Sequence, residues 1–137
     1  VLAYKFPIAQ EQGIRTQLFW NLKEPLKINL TDLAVILSNG LENAIEAAQL
    51  VTAQTPFISV TAETKDEFIK VSISNNTVAP PVIIDGKIVT TKEDKRLHGL
   101  GLETIQQLAR KYNGNSFPTY QNHIFILKII LKNSMEI

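Results

Sequence analysis

Apolar positions at Leu33, Ile36, Leu37, Leu41, Ala44 and Ala48 recur every three or four residues. That spacing predicts an amphipathic helix with Thr31 as its N-cap, Asp32 in its first turn and Pro56 as its stop. "GIRTQLFW" (13–20) and "LKINL" (26–30) read as short strands around a turn at Pro25. "PFISVTAE" and "EFIKVSISN" alternate with period two about Lys65 and Asp66, which predicts an antiparallel hairpin. Between Asn76 and Gly99 the pattern dissolves for more than about twenty residues, a length at which loops are functional or mobile. Leu102, Ile105, Leu108, Ala109 and Tyr112 then restore helical spacing, with Arg110 and Lys111 suited to the C-terminus and Asn113-Gly114 ending it. "HIFILKIIL" is apolar on both faces, as a strand inside a sheet requires. No repeat or low-complexity tract interrupts the pattern.

A chain of 137 residues with 45% apolar and 20% charged residues suits one domain with a sizeable core, of α/β or α+β class. Fourteen basic against thirteen acidic residues leave a net charge of +1, and no basic run is interleaved with aromatics, so nucleic acid is not an expected partner. The absence of cysteine excludes disulfides and thiolate metal sites and fits a reducing compartment. No charge-free window approaches the ~18 residues of a membrane span, and "VLAYKFPIAQ" lacks the flanks of a signal peptide. A first residue of Val instead of Met leads us to expect a piece of a larger protein.

The helix that begins near Thr31 contains an unusual interior. Asn39, Gly40 and Asn43 are mediocre to poor helix formers, and a mid-helix glycine costs about 1 kcal/mol against alanine. Asn39 and Asn43 stand ~40° apart on the border of the apolar face, with Gly40 on the apolar side. Two readings are open for this stretch alone: solvated amides with Gly40 relieving crowding against a sheet, or an amide oxygen offered to Mg²⁺, which takes few protein ligands.

Two further segments carry candidate chemistry. In "KRLHGLGLETI" (95–105), Gly99 and Gly101 precede or open a helix, where backbone N–H groups and the helix dipole favour phosphate; an ordinary glycine-rich loop is the plainer reading. Neither of the two common nucleotide fingerprints, G-x-x-x-x-G-K or a strand followed by G-x-G-x-x-G, is present. In "KVSISNN", the row Ile69, Val71, Ile73 continues to Asn75, while Asn76 faces away. Asn75 is thus aimed where the core is aimed, and either a purine edge or a turn would satisfy its amide.

The order of these parts resembles the ATP-binding domain of the GHKL superfamily, which contains DNA gyrase, MutL and sensor histidine kinases. "ILSNGLENAIEAA" is similar to its N box, and "TTKEDKRLHGLGLETI" to its ATP lid and second glycine box. The nearest likeness is to quorum-sensing kinases of the accessory-gene-regulator type, and it spans the chain from about its first residue to its last. The resemblance implies an α+β fold, a two-layer α/β sandwich whose mixed, mostly antiparallel sheet carries helices on one face, with residues 1–137 as a single domain. It implies ATP and Mg²⁺ as cofactors. Asn43 matches the Mg²⁺ ligand, Asn39 would support the metal or the phosphates, Lys92 would reach the phosphates as a point charge, and Gly99, Leu100, Gly101 and Leu102 would wrap the triphosphate. His98 would be a lid residue that hydrogen-bonds a phosphate or a neighbouring loop, with no role in proton transfer.

Three departures qualify the match. Asn75 replaces the aspartate that usually binds the adenine amino group, and the glycines that follow it elsewhere are missing from "NNTVAPP". Glu46 stands three positions after Asn43, where other histidine kinases often carry a basic residue. Asn39 occupies the place of the hydrolases' water-activating glutamate, and an amide is no useful base. Transfer to an acceptor is therefore the chemistry expected. The resemblance implies an acceptor histidine on a separate dimerisation domain, a role that neither His98 nor His123 suits, with Glu42 a possible partner for that histidine and a response regulator downstream. The expected setting is the cytoplasmic part of a membrane-anchored bacterial receptor, with no membrane contact by these residues. The alternatives are a stand-alone serine kinase of the anti-sigma-factor type and an interaction module that has lost useful ATP binding.

Overall fold

A computed structural model of the chain describes residues 1–78, 82–84, 87–89 and 100–134. The elements are α1 (Leu2–Glu11), β1 (Arg15–Asn21), α2 (Leu30–Gln49), β2 (Phe57–Lys65), β3 (Phe68–Asn76), β4 (Val82–Ile84), β5 (Lys87–Val89), α3 (Leu100–Lys111), β6 (Asn115–Gln121) and β7 (Ile124–Lys132). Five strands form one sheet in the order β1-β2-β3-β7-β6, and β4 pairs with β5 in a separate hairpin. β1 runs parallel to β2, and every other pair in the large sheet is antiparallel. A parallel pair needs a crossover, and α2 supplies it.

Period-two alternation fixes which face is covered. Ile58, Val60 and Ala62 of β2, Ile69, Val71 and Ile73 of β3, and Phe125, Leu127, Ile129 and Leu131 of β7 are buried, whereas Thr61, Lys70 and Lys128 between them are exposed. Against the buried rows lie Leu33, Ile36, Leu37, Leu41, Ala44 and Ala48 of α2, Ile105 and Ala109 of α3, and Tyr112 just after α3. The result is the expected sandwich of a mostly antiparallel mixed sheet with helices on one face.

Local expectations were corrected in several places. Residues 26–30 form no strand: Ile28 is buried, and the backbone around it bonds to Asn133, which accepts from Lys27 N at 2.8 Å and donates to Pro25 O at 3.1 Å. The N-cap of α2 is Asn29, whose Oδ1 accepts from Thr31 N at 2.7 Å and Asp32 N at 3.3 Å, so Thr31 already lies inside the helix. α2 ends at Gln49, well before Pro56. α1 and β6 have no counterpart in the sequence pattern, nor does the β4–β5 hairpin, which lies in the stretch read as a long loop.

A polar knot fixes how α2 and α3 lie. Tyr112 donates its hydroxyl to Asp32 Oδ2 at 2.5 Å and accepts from Asn29 N at 3.1 Å, and Lys111 Nζ is 3.0 Å from the same carboxylate oxygen. The hydrogen bond from Tyr112, with Lys111 adding its charge, holds the Asp32 carboxyl below its ordinary range; burial and the carboxylate raise the Tyr112 hydroxyl above its own. The last turn of α3 is therefore tied to the first turn of α2, and the two helices run in opposite directions.

Candidate functional site

Because the helices are antiparallel, the start of α3 comes back along α2 to its middle. A β-carbon built on Gly101 would lie 3.4 Å from Asn39 Oδ1 and 3.6 Å from Asn39 Cβ. The glycine-bearing first turn of α3 thus faces the amide-bearing stripe of α2. Its N–H groups lack intrahelical partners and sit at the positive end of the dipole, so this turn favours an anion. Leu100, Gly101 and Leu102 all lie in that turn, and Leu102 is half-buried against the core.

Asn39 and Asn43 are both half-buried, and neither amide has a hydrogen-bond partner among the described residues. Gly40, between them, has a different task. A β-carbon there would stand 2.4 Å from Ile73 Cδ1, so Gly40 lets α2 settle onto β3, as the crowding-relief reading held.

That contact also aligns Asn75 with the stripe. α2 and β3 both start at the Tyr112 knot, where Lys132 N bonds Tyr112 O and Lys132 pairs with Phe68. From Gly40 to Asn43 is about 4.5 Å along a helix, and from Ile73 to Asn75 about 6.6 Å along a strand. Asn75 therefore reaches the same end of the layer as Asn43. It is 1% exposed; its Nδ2 donates to Asn76 O at 3.0 Å, and its Oδ1 is buried without a hydrogen-bond partner among the described residues. An unmet buried acceptor costs about 1–3 kcal/mol, and so calls for a donor beyond the described residues.

Glu42 is placed apart from this group. It projects ~100° from Asn43 around the helix, towards α1, where Lys5 Nζ pairs with its Oε1 at 3.1 Å. Its side chain is 54% exposed. Glu46 is half-buried on the amide stripe. Lys92, His98 and Gly99 lie outside the described residues. Of the expected site residues, then, Asn39, Asn43, Leu100, Gly101 and Leu102 share one region, Asn75 approaches it from the sheet, and Glu42 flanks it.

Two residues escaped the sequence reading. Asn76 points to the opposite face, as alternation demands, yet it is only 2% exposed because its amide accepts from Phe57 N at 3.0 Å and donates to Thr55 O at 2.9 Å. Lys5 gave no signal, since its partner is 37 residues away.

A family model described as the GHKL domain matches residues 28–132. The chain belongs to the GHKL domain family. α2 lies within the matched span, and α1 and β1 precede it. Among solved structures, this GHKL domain is similar to the nucleotide-free catalytic domain of histidine kinase ThkA, with a TM-score of 0.76 and 20% identity over 97% of this chain and 88% of that one. The Acinetobacter baumannii histidine kinase AdeS matches at a TM-score of 0.69 and 15% identity, over 96% of this chain and 60% of that one. ThkA in complex with the response regulator protein TrrA matches at 0.64 and 14%, over 97% and 38%. At these identities the likeness is one of fold. No curated protein matches the sequence. Among the described residues no helix is long and apolar enough to cross a membrane.

Proposed function

We propose that this GHKL domain is the ATP-binding catalytic domain of a two-component sensor histidine kinase, transferring the γ-phosphoryl group of ATP to a histidine on a separate dimerisation domain. The observation that carries the reading is the apposition of Gly101 and Asn39, which sets an anion-favouring helix start against oxygen donors. The orphaned Asn75 Oδ1 supports the nucleotide's identity, because a buried acceptor suits the amino group of adenine.

The residues fit a divalent cation as well. The Asn43 carbonyl is a neutral, hard oxygen ligand, half-exposed and otherwise unused, of the sort Mg²⁺ combines with phosphate oxygens and water. Mg²⁺ would supply neutralisation of charge on the β- and γ-phosphates. Around it, Asn43 would orient the phosphates, Asn39 would hold them against the first turn of α3, and Lys92 would add a positive charge. Leu100, Gly101 and Leu102 would bind phosphate oxygens through their backbone, with Gly99 and His98 beside them. Asn39 offers no base for water, so the arrangement favours transfer over hydrolysis. Glu42, next to Asn43 in sequence and paired with Lys5, would meet an incoming histidine once Lys5 releases it.

The finer assignment is to the accessory-gene-regulator type of quorum-sensing kinase, supported by "TTK" and "HGLGL" bracketing the lid and by Asn75 at the adenine position. On that reading the parent is a membrane-anchored receptor with this domain in the cytoplasm, and a response regulator receives the phosphoryl group from the histidine. Isothermal titration with a non-hydrolysable ATP analogue and Mg²⁺ tests the core of the proposal. Saturable binding supports it; no heat at about millimolar nucleotide, a free energy of only about 4 kcal/mol, would leave an interaction module instead.

A further inference from the structure

We propose that the free edge of β1 is a self-association surface, on which a second copy of this chain lays its own β1 antiparallel and joins the two five-stranded sheets into one. The inference is independent of nucleotide binding.

β1 is the outermost strand on one side of the sheet, and β6 on the other. Edge strands invite further pairing unless a proline, a charge or a bulge blunts them. β6 carries Pro118 in its middle, whereas the middle of β1, "QLFW" (17–20), holds no proline, glycine or charge. Leu18, Phe19 and Trp20 are 49%, 53% and 41% exposed, three consecutive large apolar side chains left open to solvent.

The ladder to β2 fixes which backbone groups of β1 are open. Arg15 N donates to Pro56 O at 2.9 Å, and Arg15 pairs with Phe57 in the parallel register. Backbone groups along a strand turn alternately to its two sides, so those of Arg15, Gln17, Phe19 and Asn21 serve β2 while those of Thr16, Leu18 and Trp20 point away from the sheet. These three are evenly spaced about Leu18. A second copy related by a two-fold axis between the two Leu18 residues therefore sets Leu18 opposite Leu18 and Thr16 opposite Trp20, each pair exchanging both of its backbone bonds.

The side chains favour the same register. Opposite residues share a face, so Leu18 meets Leu18 and Trp20 meets Thr16 on the helix side, while Phe19 meets Gln17 on the outer side. Arg15 of one copy falls opposite Asn21 of the other, and Asn21 is the ladder partner of Glu63 on β2. Arg15, Asn21 and Glu63 are all exposed on the outer face. The guanidinium of one copy thus reaches over Asn21 to the carboxylate of the other, across two strand spacings of about 10 Å in total, and the symmetry makes this contact twice. Within one copy the same two residues stand about 20 Å apart along the ladder, too far to pair. This charge complementarity selects a second copy over an unrelated strand. On the kinase reading, a dimerisation domain would hold two copies near each other, so a contact that is weak in isolation suffices.

Sedimentation velocity over a range of concentrations tests the proposal, with thermal unfolding run alongside. The wild-type chain is expected to pass from monomer to dimer below about 1 mM. Leu18→Pro removes an N–H that an edge strand does not use within the monomer, and should weaken association about tenfold or more. Arg15→Glu and Glu63→Arg should each weaken it about threefold or more, and the double variant should return to within about twofold of the wild type. A chain that stays monomeric up to about 1 mM, a dimer indifferent to Leu18→Pro, or a double variant as weak as the singles overturns the inference.

Where Leu18→Pro does not fold, amide exchange in the wild type decides. The N–H groups of Leu18 and Trp20 should exchange fast in dilute and slowly in concentrated solution, while those of Gln17 and Phe19, bound to β2, exchange slowly in both. Exchange at Leu18 and Trp20 that ignores concentration would refute the pairing.

Discussion

Gly40 lies so close to Ile73 that a β-carbon in its place would stand 2.4 Å from Ile73 Cδ1. The glycine in the middle of the long helix is thus a packing residue, flanked on either side by amides that are not. α2 gives up about 1 kcal/mol of helix propensity at this point to approach the sheet, and the approach brings its amide stripe level with the end of β3.

Gly40→Ala is expected to destabilise the domain by about 1 kcal/mol, overpacking outweighing the gain in propensity. Ile73→Val removes the clashing carbon. Chemical denaturation of both single variants and the double variant should therefore show strong coupling, with the double more stable than the sum of the singles implies. Additive effects would mean that the two residues do not share this contact.

Gly114 presents a harder case, since a β-carbon there would fall 1.7 Å from Ile130 O, a backbone atom that cannot turn aside. We expect Gly114→Ala to cost about 3 kcal/mol or more, read as a lowered denaturation midpoint. A loss under about 1 kcal/mol would show that β6 enters the sheet differently.

The Asp32–Tyr112 bond makes stability depend on pH at both extremes. Asp32 has a lowered folded value, so its contribution is present above the ordinary 3.8 and is lost as pH falls through the lower folded value. Tyr112 has a raised value, so its contribution is present below the ordinary 10.0 and is lost as pH rises through the higher folded value. Asp32→Asn and Tyr112→Phe should each lose about 1–3 kcal/mol near neutrality. The deficit of Asp32→Asn should shrink in strong acid, and that of Tyr112→Phe in strong alkali. A deficit independent of pH would exclude this linkage.

Lys5 and Glu42 form a surface ion pair, and such pairs contribute about 0–1 kcal/mol. Glu42→Gln should therefore leave thermal stability nearly unchanged and nucleotide affinity intact, yet slow phosphoryl transfer to a separately supplied histidine-bearing dimerisation domain. An unaltered transfer rate would remove Glu42 from the mechanism.

How much could be read from the chain depended on the range of the interactions involved. Leu33, Ile36, Leu37, Leu41, Ala44 and Ala48 in α2, Ile105 and Ala109 in α3, and Tyr112 just after α3 declare themselves by spacing because each faces one continuous core. The β2–β3 hairpin and β7 follow from alternation and from an apolar run for the same reason. Residues 26–30 do not, since their backbone is satisfied by Asn133, more than a hundred residues away. α1 carries Pro7 in its interior and buries only Ala9 among its residues, so neither propensity nor pattern marks it. β6 includes Pro118, which a strand tolerates at the edge of a sheet, and edge placement is invisible from sequence. The amide stripe and the glycine-opened helix were legible through their motifs. The hydrogen bonds of the Asn76 side chain were not, because burial on the outer face of a sheet requires knowing where Thr55 and Phe57 end up.

Central to the account is that the amide stripe of α2 and the first turn of α3 meet on one nucleotide. Titrating an ATP analogue and Mg²⁺ into isotopically labelled protein, followed by nuclear magnetic resonance, tests this most directly. The account predicts that the side-chain amides of Asn39, Asn43 and Asn75 and the backbone amides of Gly101 and Leu102 shift together along one saturation curve, with the Asn43 shift lost when Mg²⁺ is withheld. Shifts confined to the outer face of the sheet, around Ser72 and Ser74, or separate curves for the two helices, would contradict it.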